Sequence, residues 1–167
     1  MRLDQQDSAG AVIAETNRLA PHFELGQHGE ALAIEHLERA GYRIVAANFR
    51  LPIGRNTRGA IVNAEIDVVA YDGPTLCFVE VKTRGTDEFA PPQANVDLRK
   101  QRQIARAARA YRRMFGLIDA PYRYDVVAVV SPSPANQIDA EPRIELLKIF
   151  WTDEKLRLRN HQEARWD

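Results

Sequence analysis

The sequence predicts an α/β domain, a mixed β-sheet flanked by α-helices, on three observations. Apolar residues recur at helical spacing from about residue 26, and strand-like runs follow. Two β-favouring runs flank Asp72-Gly73-Pro74, a strong turn signal between consecutive strands. The stretch from about 96 to 116 has no Gly or Pro before its final residue and is rich in Ala, Arg and Gln, which predicts a long helix.

Taken in order, residues 1–24 are polar around a short apolar stretch and contain Pro21, so they read as an N-terminal extension. Ala33, Ile34, Leu37 and Ala40 give the first helix its apolar face, and Gly41 suits its stop. Tyr42 to Phe49 is the first expected strand. Pro52, Gly54, Asn56 and Gly59 mark residues 51–62 as a loop or an extended hairpin connection. Ala64–Tyr71 and Thr75–Lys82 form the expected antiparallel hairpin. After the long helix, Arg123–Val130 and Arg143–Phe150 read as two more strands, separated by a Ser-, Pro- and Asn-rich stretch. The domain is thus expected over 25–151, with 152–167 as a polar C-terminal extension.

Length and composition fit one domain: 167 residues with 45% apolar content. No uncharged apolar run reaches membrane-spanning length and the N-terminus lacks a secretory pattern, so a cytoplasmic protein with no membrane partner is expected. The one cysteine, Cys77, falls in an apolar strand run and permits neither an internal disulfide nor a cysteine-based zinc site. Lys plus Arg and Asp plus Glu both total 23, so any argument for an anionic partner must rest on local charge. No Walker-type phosphate loop and no nucleophile elbow occurs, which removes ATP hydrolysis and serine-hydrolase chemistry.

The chemistry lies in the hairpin. Alternation along a strand aims Glu65, Asp67 and Val69 at one face and Ile66 and Val68 at the other. On the partner strand it groups Phe78, Glu80 and Lys82. Acids embedded in Ile66-Asp67-Val68-Val69 and Phe78-Val79-Glu80-Val81 are costly to desolvate unless a cation compensates them. Hard oxygen ligands suit Mg2+ or Mn2+, with Lys82 stabilising negative charge that develops on a phosphate. From spacing alone, an ordinary strand pair with Lys82 in a surface ion pair fits equally well.

A longer series of motifs separates the two. Asp67 followed by Glu80-Val81-Lys82 resembles the PD-(D/E)xK signature of restriction-endonuclease-like nucleases. The wider set is more specific: Gly26-Gln27-His28-Gly29-Glu30, Gly41-Tyr42, Asn48-Phe49-Arg50, Glu65-Ile66-Asp67, Phe78 to Arg84, Lys100, and Arg123 to Val127. Over residues 25 to 130 these resemble, in matching order, the YraN family of small bacterial proteins. The resemblance implies a restriction-endonuclease-like fold related to Holliday junction resolvases. It implies Asp67 and Glu80 as metal ligands, Lys82 as the catalytic lysine and Glu30 as a helix-borne acid approaching the metal, with Glu65 and Lys100 as auxiliary members. Ala64, where the family usually has glycine, and the long 51–62 connection depart from the pattern. Read without the resemblance, Glu30 is an acid stabilised by the first turn of its helix.

Arg99, Arg102, Arg106, Arg109 and Arg113 form one stripe on the long helix, and Ile104, Ala108, Tyr111, Phe115 and Ile118 form another that would dock it on the sheet. The arginine stripe fits phosphate contacts; a solvated face is its plain alternative. Asp125 is expected to be structural, paired with Arg123 or another arginine. The expected activity is hydrolysis of phosphodiester bonds in DNA, branched or damaged structures included, by a Mg2+- or Mn2+-dependent endonuclease, with a homodimer allowed. A non-catalytic nucleic-acid-binding or adaptor module on the same fold is the alternative.

Overall fold

The computed structural model describes residues 26–85, 96–131 and 141–157. The expected extension over 1–24 and the residues after 157 lie outside the described residues. Strands β1 (Arg43–Arg55), β2 (Ile61–Asp72), β3 (Thr75–Gly85), β4 (Tyr122–Ser131) and β5 (Arg143–Trp151) form one sheet in the order of the chain. The β3–β4 pair is parallel and every other pair is antiparallel. A parallel pair cannot be joined by a tight turn, and helix α2 (Leu98–Met114) lies in that crossover. Helix α1 (residues 26–39) precedes the sheet and a short helix α3 (residues 153–157) follows it. This is the expected mixed sheet flanked by helices.

Local signals account for the helix ends. Asp97 caps α2 by accepting the Lys100 backbone N–H at 2.7 Å. Gly41 (φ +89°) and Gly116 (φ +67°) end α1 and α2 in the left-handed conformation that glycine adopts without penalty. In each case the next residue's N–H reaches back five residues, Tyr42 to Leu37 at 2.9 Å and Leu117 to Arg112 at 2.7 Å. The long helix thus ends at Met114, two residues inside its expected span of about 96 to 116. Phe115 and Ile118, expected on the docking stripe, are therefore exposed, while Ile104, Ala108 and Tyr111 are buried as expected.

The sheet carries a core on each face. On one side Ile66, Val69, Phe78, Tyr124, Val126 and Trp151 pack against Ile104, Ala108 and Tyr111 of α2. On the other, Val68, Ala70, Cys77, Val79, Val81, Val127 and Val129 pack against Ala33 and Leu37 of α1 and against Tyr42. Each such fully buried aliphatic or aromatic side chain stabilises the fold by about 1.5–3 kcal/mol. Rings interlock on the α2 side, with Phe78 edge-on to Tyr111 at 5.7 Å and Tyr124 stacked on Trp151 at 4.9 Å. The packed body continues past Trp151, because Leu156 of α3 is buried and Asp153 accepts both tyrosine hydroxyls, Tyr122 at 2.7 Å and Tyr124 at 2.9 Å.

Of the two readings of residues 51–62, the extended hairpin connection holds: β1 runs on to Arg55 and β2 begins at Ile61. Pro52 is tolerated there because β1 is a sheet edge, and the register shifts between Pro52 and Gly54. Strict alternation, however, fails in β2. Ile66 and Val69 share the α2-side core while Val68 belongs to the α1 side, so the facing slips at Asp67. Across the ladder, Ala46 and Phe49 both lean on the α2-side core although they are three residues apart. Between them Asn48 has φ +51°. Because Ala47 pairs with Val68 and Phe49 with Ile66, Asn48 stands opposite Asp67. The two strands turn over together at that pair.

Candidate active site

The slip at Asp67 coincides with a fork. Strand β2 stays paired with β1 as far as Ile61, but its ladder with β3 runs only from Asp72↔Thr75 to Val68↔Val79. Beyond Val68 the backbone of β3 needs another acceptor, and the Asp67 side chain provides it: Oδ2 accepts the Val81 N–H at 2.8 Å. The carboxylate therefore lies between the diverging strands, next to Glu80.

Glu80 is 1% exposed. Lys82 Nζ lies 2.6 Å from its Oε1, and Lys100 Nζ, from the first turn of α2, lies 3.1 Å from its Oε2. The second contact is one of charge without hydrogen-bond alignment, so Oε2 is buried with no donor among the described residues. Burial and then the neighbouring Glu80 carboxylate push the Asp67 carboxyl up to about 7, although the Val81 N–H and Lys100 act in the opposite direction. Burial disfavours the Lys100 ammonium, yet Glu80, Asp67 and Glu65 together hold its pKa above the ordinary lysine value. Glu80 is thus neutralised by lysines, and Asp67 is the acid still short of positive charge.

Asp67, Glu80, Lys82 and Lys100 come together. Lys100, expected as an auxiliary contact, stands at the carboxylate pair itself. Glu65 is tied to Arg50 at 2.8 Å on the exposed edge strand. Glu30 accepts the Asn48 side-chain amide at 3.0 Å, which anchors it over the strand position facing Asp67. Among the described residues no three of His, Cys, Asp and Glu gather as a ligand cluster, so Glu30 and Glu65 stand apart from the central pair. Two carboxylates are a donor set for Mg2+ or Mn2+, not for zinc. A cavity of about 480 Å³ walled by Tyr122, Tyr124 and Trp151 lies instead at the opposite ends of β3 and β4, starting from Thr75.

The approach of α1 to this fork depends on one glycine. A Cβ at Gly29 would collide with Thr83 Oγ1 and fall 2.9 Å from Thr83 Cβ, on the strand just past Lys82. Gly29→Ala is expected to lower the unfolding midpoint by about 1–3 kcal/mol worth of stability. Thr83→Ala in the same chain should recover part of it, because the contact with Cβ at 2.9 Å stays, and Thr83→Gly should relieve the clash more fully. A Gly29→Ala protein that melts like wild type would show that α1 does not dock this closely.

Of the arginine stripe, Arg99, Arg106, Arg109 and Arg113 are exposed and Arg102 is half-buried. Arg106 is not wholly available, since its Nη2 donates to the Ile53 carbonyl at 2.7 Å and ties α2 to β1. Asp125 is buried and paired with Arg123 at 3.0 Å, as expected. The positioning role of Asn48 is absent from the sequence reading; its signal is that asparagine is among the few non-glycine residues that readily adopt positive φ. No helix among the described residues is long and apolar enough to cross a membrane.

Comparison with known proteins agrees with the motif series. Residues 29–129 match the family described as "Uncharacterised protein family UPF0102". A UPF0102 protein of Geotalea uraniireducens is 42% identical over 77% of this chain and 90% of its own length. One from Geobacter sulfurreducens is 48% identical over 72% of this chain and 83% of its own, and one from Chlorobium limicola is 40% identical over 80% and 95%. With the matched span holding Glu30, the Asp67–Glu80–Lys82 fork and Lys100, the chain belongs to the UPF0102, or YraN, family.

Proposed function

We propose that the protein is a divalent-metal-dependent endonuclease that hydrolyses phosphodiester bonds in DNA, with branched or damaged structures as its candidate substrates. The observation that carries this reading is the fork: Asp67, held by the Val81 N–H and pushed up to about 7, faces a buried Glu80 flanked by two lysines. Asp67 and Glu80 would hold Mg2+ or Mn2+, which when bound supplies Lewis-acid polarisation of a phosphate oxygen and an acidified water. Lys82 donates to a phosphoryl oxygen as its negative charge grows. Water attacks phosphorus in line as the bond to the leaving oxygen breaks; solvent takes the proton of the attacking water and returns one to the leaving oxygen. The exposed face of α2 presents Arg99, Arg109 and Arg113 to the flanking phosphates.

A panel of labelled DNA and RNA duplexes, flaps, forks and four-way junctions, incubated with Mg2+ or Mn2+, tests the reading. Metal-dependent cleavage of at least one DNA structure is expected, and no cleavage of any member with either metal would refute it. A non-cleaving nucleic-acid adaptor is favoured by one feature, the neutralisation of Glu80 by Lys82 and Lys100 without any metal. DNA binding with no Mg2+ binding by calorimetry would select the adaptor.

Neutralising Arg99, Arg109 and Arg113 together to glutamine is expected to weaken DNA binding and to lower the slope of log affinity against log salt by about 2–3, because a complex that neutralises fewer phosphates releases fewer counterions. An unchanged slope in fluorescence-anisotropy titrations would leave the stripe as a solvated face.

A further inference from the structure

The Glu80 carboxylate has an ammonium group on each oxygen, Lys82 on Oε1 at 2.6 Å and Lys100 on Oε2 at 3.1 Å. A divalent cation that ligates the same carboxylate must meet the repulsion of both. One of the two comes from another element: Lys100 of α2 reaches Glu80 Oε2 at 3.1 Å, and Asp67 as well as Glu80 stabilises its ammonium.

The placement runs against local preference. Lys100 is in the first turn of α2, where the helix dipole favours acids, and that turn contains none. Only the pull of the carboxylates offsets this. Its hold on Glu80 is also the looser of the two, at 3.1 Å against 2.6 Å for Lys82. The lysine stem can rotate away without disturbing β3, because it belongs to a different element.

We propose that Lys100 is a resident counter-ion that a divalent cation displaces from Glu80 Oε2, with Lys82 staying on Oε1. The proposal rests on the metal-site reading above. It makes Lys100 a positioning residue that keeps the buried acid paired while the metal is away, and it predicts an effect opposite in sign to that of a simple brace. A lysine that merely oriented Glu80 would weaken metal binding when removed, whereas a displaced competitor strengthens it.

Calorimetric titration with MgCl2 of the full-length wild type, Lys100→Met and Lys100→Gln decides the matter. Both Lys100 variants are expected to bind Mg2+ about tenfold more tightly than wild type. Thermal unfolding checks that each variant is folded, and the polar Lys100→Gln stands in should Lys100→Met fail to fold. Unchanged or weaker affinity in the Lys100 variants, with wild type binding Mg2+, overturns the displacement and leaves the metal site standing. Absence of binding in wild type and in every variant overturns both together.

Discussion

Asp67→Asn is expected to abolish Mg2+ binding and cleavage together, whereas Lys82→Ala is expected to abolish cleavage and leave Mg2+ binding largely intact. The difference follows from the chemistry of the two groups. Asp67 is one of the two carboxylates at the fork, and an amide in its place cannot supply the charge that a hard cation requires. Lys82 carries a positive charge and ligates no cation; its loss removes the stabilisation of the charge that builds on phosphate, an effect of about 2.7–4 kcal/mol in comparable electrostatic sites. Asparagine is chosen because its side-chain oxygen still accepts the Val81 N–H, so the fork keeps its geometry. It also relieves the like-charge contact with Glu80 that helps push Asp67 up to about 7. The metal-free Asp67→Asn protein should therefore melt a few degrees above metal-free wild type, and added Mg2+ should no longer raise its midpoint. Metal-dependent cleavage surviving both substitutions at full rate would place the activity elsewhere, and a destabilised Asp67→Asn would contradict the electrostatic account of the fork.

The residues of this site are legible in the sequence, and their arrangement is only partly so. Asp67, Glu80 and Lys82 stand out because charges inside runs such as Phe78-Val79-Glu80-Val81 are costly to bury. Period-2 alternation correctly groups Phe78, Glu80 and Lys82, since β3 is regular and paired with β4 from Leu76 to Gly85. It fails in β2, where Ile66 and Val69 share a core and Val68 does not. The slip depends on a carboxylate replacing a backbone acceptor and on a left-handed residue, Asn48, in the neighbouring strand. Both are pairwise tertiary effects that no single-strand pattern contains. Strand β1 outruns its expected length for a related reason: Pro52 and Gly54 are turn signals in isolation, but a sheet edge accepts a proline because no ladder bond is lost. The reach of Lys100 to Glu80 depends on how α2 crosses over the sheet, which spacing along the helix does not specify. The compensation of Glu80 expected from a metal is already provided by two lysines, and that narrows the case for a cation to Asp67.

Arg123→Ala is expected to cost about 3–5 kcal/mol of folding stability, the largest effect of any single substitution outside the apolar core, because it strands a buried carboxylate. Asp125 has 0% exposure. It takes the Arg123 guanidinium Nε on both oxygens at 3.0 Å, the Tyr42 hydroxyl at 3.2 Å and the Ile149 backbone N–H at 2.9 Å. Arg123 extends the network by donating to Asp72 at 2.5 Å and to the Tyr42 oxygen at 2.7 Å. The bond to Ile149 fills an irregularity in the β4–β5 ladder, where a β-branched residue is held at φ +53°. Losing Arg123 removes the compensating charge and the forked donor together, so Arg123→Lys should recover only part of the stability: a point-charge ammonium cannot reproduce the geometry. Lys148 offers the internal control. It meets Asp72 at 2.8 Å from a half-exposed position, and Lys148→Ala should cost no more than about 1 kcal/mol, as surface ion pairs do. Urea unfolding of the three variants measures the contrast directly. Equal losses for Arg123→Ala and Lys148→Ala would show that burial of Asp125 does not set the energetics of this network.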